Sequence, residues 1–302
     1  MNFLLHTHTE GDGILIPLLK EVFLHGLIDT LKIIPFLFLT YLLMEFIEHK
    51  GAEKIQGTMK RAGVFGPFIS GLFGAIPQCG FSTVSANLYS ARIITLGSLI
   101  AVFLSTSDEM LPIMVSANIP LTTVLFILLY KVAVGILVGF AVDLVLRLMK
   151  KETGEINIDQ ICENDGCGCD GGILRSALHH TLSIGIFVLI ITFVMNLLIF
   201  FIGDESLAAI LDKPVISHIA ASLVGLIPNC AVSVALTDFA LHGIISAGTM
   251  LSGLFSGAGV GLIVLFRVNK SKKENLIIAG MLILFGTLFG LVGDLIGFDA
   301  LI

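Results

Sequence analysis

The stretch ISGLFGAIPQCGFS (Ile69–Ser82) recurs as AASLVGLIPNCAVS (Ala220–Ser233), at an offset of 151 residues. Leu72, Gly74, Ile76, Pro77, Cys79 and Ser82 fall on Leu223, Gly225, Ile227, Pro228, Cys230 and Ser233. The same offset, without gaps, carries Gly97 onto Gly248, Ser105 onto Ser256, Gly135 onto Gly286, Gly139 onto Gly290 and Asp143 onto Asp294. Apolar runs align with one another by hydrophobicity alone, but Pro, Cys and Asp do not. The chain therefore reads as an internal duplication. Each copy of the motif lies in an apolar stretch, 63–91 and 215–241, with a proline near its middle. Each stretch is too long for one simple span, and proline breaks a helix interior. A helical hairpin is expected in both places.

Composition sets the solvent. Of the 302 residues, 56% are apolar and 13% charged, and the mean hydropathy is +1.00. Soluble domains carry about 25% charged residues, so this chain cannot cover a water-facing surface. Its 32 glycines show no G-X-Y period, and its apolar content excludes disorder. A net charge of −6 argues against nucleic-acid binding. An integral membrane protein of several spans remains. Six spans are expected, at 27–47, 93–115, 121–149, 177–202, 244–266 and 276–296. With two limbs per hairpin, these make ten hydrophobic segments. No small-residue cleavage site follows the first apolar stretch, so no signal peptide is expected.

Cations give the threading. Lys50, Lys54, Lys60 and Arg61 follow the first span. Arg147, Lys150, Lys151 and Arg175 lie around the central linker, Arg267, Lys270, Lys272 and Lys273 precede the last span, and Arg92 stands by itself. Assigning these 13 of the 17 cations to the cytoplasm threads the whole chain and leaves both termini outside. Each hairpin then enters and leaves on one face, 63–91 from the cytoplasm and 215–241 from outside. Each half holds three crossings, an odd number, so the second repeat is inverted. The fold expected is an all-α polytopic membrane protein in the cell membrane. Residues 1–149 form one repeat, 150–175 a cytoplasmic linker, and 176–302 the inverted repeat. Inverted repeats with discontinuous helices belong to secondary transporters, whose substrate sits near the midplane where the repeats meet.

Several residues there offer chemistry. Cys79 and Cys230 are soft ligands, and Gln78 and Asn229 add harder carbonyl oxygens. Ser82 and Ser233 follow each tip with a hydroxyl. The alternative for each cysteine is a small buried hydrophobe at a tight turn. Asn87 and Asp238 are repeat equivalents that either add oxygen ligands or cap a helix limb. Asp143 and Asp294 lie nearer the interface, where capping or pairing is expected. Asp108 and Glu109 fall midway along a span, where carboxylates are costly and mark function. They bind a cation, carry a coupling proton, or pair with Lys131. Ser105, Thr106 and Ser107 supply neighbouring hydroxyls, and Pro112 suggests a helix break. The repeat partner GLFSGAGVG (Gly253–Gly261) has no carboxylate and reads as close helix packing with a kink. In the linker, Cys162, Cys167 and Cys169 stand with Asp165 and Asp170. They form either a soft-metal patch or a glycine-rich linker with incidental thiols. No Ser-His-Asp arrangement or HExxH motif appears, so an enzyme is not expected.

The run IPQCGFSTVSANLYSARIITLGSLIAVFLSTSDEMLP, from Ile76, resembles the ten-segment heavy-metal exporters. Some members of that family are labelled arsenic efflux proteins or manganese transporters. The resemblance covers nearly the whole chain, including the cysteine-rich linker. A more distant likeness, confined to the broken segments, is to the organoarsenical permeases, whose equivalent turn holds more cysteines. The resemblance implies efflux of a metal or metalloid. Without a nucleotide-binding domain in the sequence, an ion gradient, protons by preference, would drive it. A permease for organoarsenicals or another small organic anion is the alternative. No cofactor is expected beside the transported ion. Expected partners are that ion, a coupling ion and the lipid bilayer; a homodimer is left open.

Overall fold

The computed structural model describes residues 65–76, 79–107, 110–149 and 216–298, with single positions between 27 and 42 and between 174 and 194. Cys79 and Cys230 are described by their backbone. Ten helices run through the continuous segments. In the first half they are α1 (Gly66–Gly74), α2 (Cys79–Ser90), α3 (Leu96–Ser105), α4 (Met110–Ser116) and α5 (Leu121–Leu148). In the second half they are α6 (Ile216–Gly225), α7 (Cys230–Leu241), α8 (Ala247–Ser256), α9 (Val260–Val268) and α10 (Lys272–Ile296). The five pairs follow the sequence offset, so the duplication is a duplication of structure.

Helix length separates hairpins from spans. A helix rises about 1.5 Å per residue, so crossing about 30 Å of hydrocarbon takes about 20 residues. The hairpin limbs α1, α2, α6 and α7 hold only 9 to 12 residues. Each therefore reaches roughly half of that thickness. Both tips close alike: Ala75 and Ile76 N–H donate to Leu72 and Phe73, as Leu226 and Ile227 donate to Leu223 and Val224. Among the described residues, four stretches are long and apolar enough to cross: Leu96–Ser116, Leu121–Leu148, Ala247–Val268 and Lys272–Ile296.

Two of these stretches are broken. α3 ends at Ser105 and α4 resumes at Met110; α8 ends at Ser256 and α9 resumes at Val260. The sequence reading expected a break at Pro112 in the first half and, in the second, close packing with a kink. The break in the first half precedes Pro112 and is not at it. Pro112 sits in the first turn of α4, where a missing N–H costs nothing. The glycine run of the second half does more than kink a helix. Gly259 adopts φ +53, a region that glycine enters freely, and α9 starts just after it.

The half-helices α3 and α8 are the centre of the molecule: all residues from Gly97 to Ser105 and from Ala247 to Ser256 are buried. α1 and α5 pack against α3, and α6 and α10 pack against α8. Small residues allow this, since backbones in a membrane gain from close approach rather than from hydrophobic drive. A Cβ on Gly97 would strike the Gly139 carbonyl and the Asp143 carboxylate; one on Gly248 would strike the Gly290 carbonyl and Asp294. α5 and α10 turn exposed leucines outward, among them Leu129, Leu137, Leu284 and Leu295, as lipid-facing helices do. Single positions outside the continuous segments, Phe38, Leu42 and Ala177, also pack on this core.

Candidate functional site

Four interruptions of the chain converge: two hairpin tips and two helix breaks. Ser107, in the first break, donates its hydroxyl to the Ala75 carbonyl in the first tip, at 3.3 Å. Gly257, in the second break, lies beside the Gly225 carbonyl at the end of α6. The halves also cross over. A Cβ on Gly261, just past the second break, would meet the backbone and Cβ of Ser82 at 2.7–2.8 Å, so α9 lies directly on α2. α7 packs correspondingly on α4. Each tip thus touches the break of its own half, and each returning limb touches the other half.

Helix ends supply the local field. The first N–H groups of a helix and its last carbonyls lack intrahelical partners and carry partial charge. α2 and α7 both start on a cysteine, Cys79 and Cys230. The backbone thus places both cysteines at helix N-termini. α3 and α8 end at the two breaks, where their last carbonyls lose helical donors. Such irregular backbone is tolerated at membrane depth only inside protein or beside a polar cavity.

The side chains packed there are hydroxyls and amides. Ser82, Thr83, Ser105 and Ser256 are fully buried, and Asn229, Thr106 and Ser107 nearly so; Asn87, also fully buried, lies farther along α2. Ser233 is partly buried. Thr106 and Thr237 return their hydroxyls to carbonyls one turn back, Val102 and Ser233. Among the described residues Ser105 Oγ has no hydrogen-bond partner, whereas its equivalent Ser256 donates to Ser252 or Gly253.

Lys131 is fully buried on α5 and reaches across to the second half. Its Nζ donates to the Leu254 carbonyl at 2.8 Å and lies 5.4 Å from the Phe255 ring centroid. Leu254 belongs to the last turn of α8, where the break removes the N–H that would otherwise bond its carbonyl. The lysine supplies that donor. Its repeat equivalent is Leu282, so the charge belongs to one half only.

Other expected site residues stand apart. Asp238 lies eight positions beyond Cys230, about 12 Å along α7. It is half-exposed and 3.5 Å from His242, not gathered to the tip. The Asn87 and Asp238 backbone carbonyls accept from Ala91 and His242, which closes the ends of α2 and α7. Pro77, Gln78, Asp108 and Glu109 lie outside the described residues, as do the linker residues Cys162, Asp165, Cys167, Cys169 and Asp170. Among the described residues, no group of three His, Cys, Asp or Glu side chains is placed to hold a metal ion.

Asp143 and Asp294 do cap. Asp143 Oδ1 accepts from Gly97 N–H at 2.8 Å and Oδ2 from the Thr95 hydroxyl at 2.6 Å. Asp294 Oδ1 accepts from Gly248 N–H at 2.6 Å and Oδ2 from the Ser246 hydroxyl at 2.9 Å. The sequence reading missed His218, whose Nε2 lies 2.9 Å from Asp294 Oδ2. Its signal was a histidine where the first repeat has Pro67. Also missed was the pairing of Arg92 with Glu274 at 2.9 Å, which joins the α2–α3 turn to the start of α10.

Residues 19–201, more than half of the chain, match the family described as "Putative, 10TM heavy-metal exporter". The chain belongs to this family. The matched region includes the first hairpin, the first broken span and the central linker. No curated protein and no solved structure matches the chain. Membership makes this a multi-pass membrane protein of a transporter class rather than an enzyme class.

Proposed function

We propose that this exporter is a secondary-active transporter for a heavy metal or metalloid of the manganese or arsenic type. The two repeats are inverted relative to one another, and the cargo sits at the midplane between Pro77-Gln78-Cys79 and Pro228-Asn229-Cys230. The observation that carries the reading is the meeting of two hairpin tips with two helix breaks. Half-helix ends and freed carbonyls at one depth are what an ion needs when it sheds water inside a membrane. Cys79 and Cys230 supply soft ligands, and the buried amide of Asn229 with Ser82 and Ser233 supplies oxygens. Asp108 and Glu109 carry or exchange the coupling proton, and Lys131 on α5 supplies a further charge for coupling. The linker thiols Cys162, Cys167 and Cys169, with Asp165 and Asp170, collect soft metal on the cytoplasmic face. The termini lie outside.

One observation favours a second reading, a permease for an organoarsenical or another small organic anion. An open apolar cavity of about 420 Å³ borders the second tip, lined by Leu226, Pro228, Leu262 and Phe266, with Arg267 at its edge. The apolar body of such a molecule fits that lining.

Metal-resolved uptake into inverted vesicles, with and without a pH gradient, tests the proposal. Mn(II), Zn(II), arsenite and an aryl arsenical form the panel. Uptake of an inorganic ion that rises with the gradient, and falls at least tenfold in Cys79→Ser/Cys230→Ser, is the expected result. Uptake of the arsenical alone selects the second reading. No uptake of any of the four overturns both.

A further inference from the structure

We infer that His218 and Asp294 form a proton-binding site at the end of the second hairpin away from its tip, the place where the coupling proton enters. This rests on the proton-coupled reading above, and goes beyond it in naming the site. His218 is the third residue of α6 and is 4% exposed. Its Nε2 approaches Asp294 Oδ2 to 2.9 Å without meeting hydrogen-bond geometry, so the two are placed to form an ion pair when the imidazole takes a proton. Its Nδ1 lies 3.4 Å from Ser217 Oγ, which in turn contacts Thr249 Oγ1 at 3.0 Å. The Asp294 side chain is 27% exposed, so the pair lies at the edge of the protein and not deep inside it.

The duplication supplies an internal control. Asp143 caps α3 with the same two bonds that Asp294 uses on α8, and it does so with Pro67 where the second half has His218. The joint therefore needs no histidine to form. His218 adds an imidazole, a side chain that can take and release a proton, buried where ionisable groups are costly. The ionisable groups around it single out Asp294 as its partner. α6 and α8 contribute no other. On α7 and just after it, Asp238 and His242 face each other and are half-exposed or more. Lys272, Lys273 and Glu274 stand at the opposite end of α10. Asp212, Lys213 and Asp299 lie outside the described residues.

The mechanical consequence follows from helix stiffness. α6 holds 10 residues, about 15 Å, with His218 near one end and the Asn229–Cys230 tip just past the other. A proton taken from water by the imidazole makes an ion pair between α6 and α10. Its release leaves α6 held by neutral contacts alone. An N–H bond forms as a hydronium O–H bond breaks, and the reverse exchange returns the proton to water on the far side of the cycle. The second hairpin thus carries the proton-sensitive limb, and the first does not.

Two measurements on the full-length protein test this. In nanodiscs, amide hydrogen exchange of the α6 peptide, corrected for intrinsic rates, should be several-fold faster at about pH 8 than at about pH 6. In His218→Gln the difference should vanish. In proteoliposomes loaded with the ion found in the uptake panel, the ratio of rates with and without a pH gradient should fall toward one in His218→Gln. It should fall likewise in His218→Pro, the residue of the first repeat. Wild-type exchange that is independent of pH overturns the inference, and so does a variant that keeps the wild-type response in both measurements. A wild-type protein that moves none of the panel overturns the exporter reading, while the exchange measurement still judges the pair.

Discussion

Asp143 and Asp294 hold the same joint in the two halves, Asp143 at 2.8 Å from Gly97 N–H and Asp294 at 2.6 Å from Gly248 N–H. Each carboxylate sits on the long closing helix and binds the first turn of a buried half-helix. A charged acceptor on an N-terminal N–H benefits from the helix dipole and from charge-assisted hydrogen bonds. Asp143→Ala leaves the Gly97 N–H and Thr95 without their acceptor, at a cost of about 1.5–3 kcal/mol. Asp294→Ala should cost more, because His218 also loses its partner. Thermal melting in detergent checks both; unchanged melting in either would deny the cap its role.

Gly97 and Gly280 make a matched pair for the packing argument. A Cβ on Gly97 would collide with the Gly139 carbonyl and Asp143, whereas one on Gly280 meets nothing within 4 Å. Gly97→Ala should destabilise by about 1–3 kcal/mol through overpacking. Gly280→Ala, inside α10, should be neutral or stabilising by up to about 1 kcal/mol through helix propensity. Folded yield and melting of the two variants read the difference directly. Equal effects would mean that close backbone approach does not limit this core.

The hairpins were legible in the sequence because proline at fixed places in two long apolar stretches has one economical reading. The Gly, Asp and Ser equivalences were legible for a similar reason: they cannot arise from hydrophobic matching. The helix breaks were less so. Pro112 pulled the expected break toward itself, although proline is at ease in the first turn of α4. In the second half the break is made by Gly257–Gly259, and glycine in a span reads equally as packing. His218 was hidden because a single histidine near a span end has no periodicity to betray its partner, which lies 76 residues later. Asp238 looked like a tip ligand by its repeat equivalence with Asn87. Helix rise alone places both about 12 Å further along their limbs.

Arg92 and Gly243 occupy the same turn in the two halves, and both are left-handed, with φ +59 and +68. The N–H groups of Arg92 and Gly243 donate to Tyr89 and Ala240 in equivalent helix-ending bonds. Arginine adopts this conformation at a cost of about 1–2 kcal/mol. Its guanidinium meets Glu274 at 2.9 Å and lies 5.2 Å from the Tyr89 ring centroid. Burial works against its charge, but the bond and charge of Glu274, together with Tyr89, hold its pKa above the ordinary arginine value. The partly exposed pair is worth at most about 1 kcal/mol. Arg92→Gly should therefore melt close to wild type, and Arg92→Ala should melt lower, by about 1 kcal/mol, because it keeps the strain and loses the pair. A reversed order would show that the turn does not select for glycine-like freedom.

Lys131 separates a structural bond from a functional charge. Its amine satisfies the Leu254 carbonyl, which the break after α8 leaves without a helical donor. Lys131→Met should orphan that carbonyl and cost about 1–3 kcal/mol. Lys131→Gln keeps an N–H donor without the charge, and should recover part or all of the loss in a melting experiment. If the charge serves the cargo or the coupling carboxylates, transport should fall at least tenfold in both variants, regardless of stability. Wild-type transport in Lys131→Gln would assign the lysine to the fold alone. It would also move the coupling function away from α5, since Leu282 shows that the second repeat packs this position without a charge.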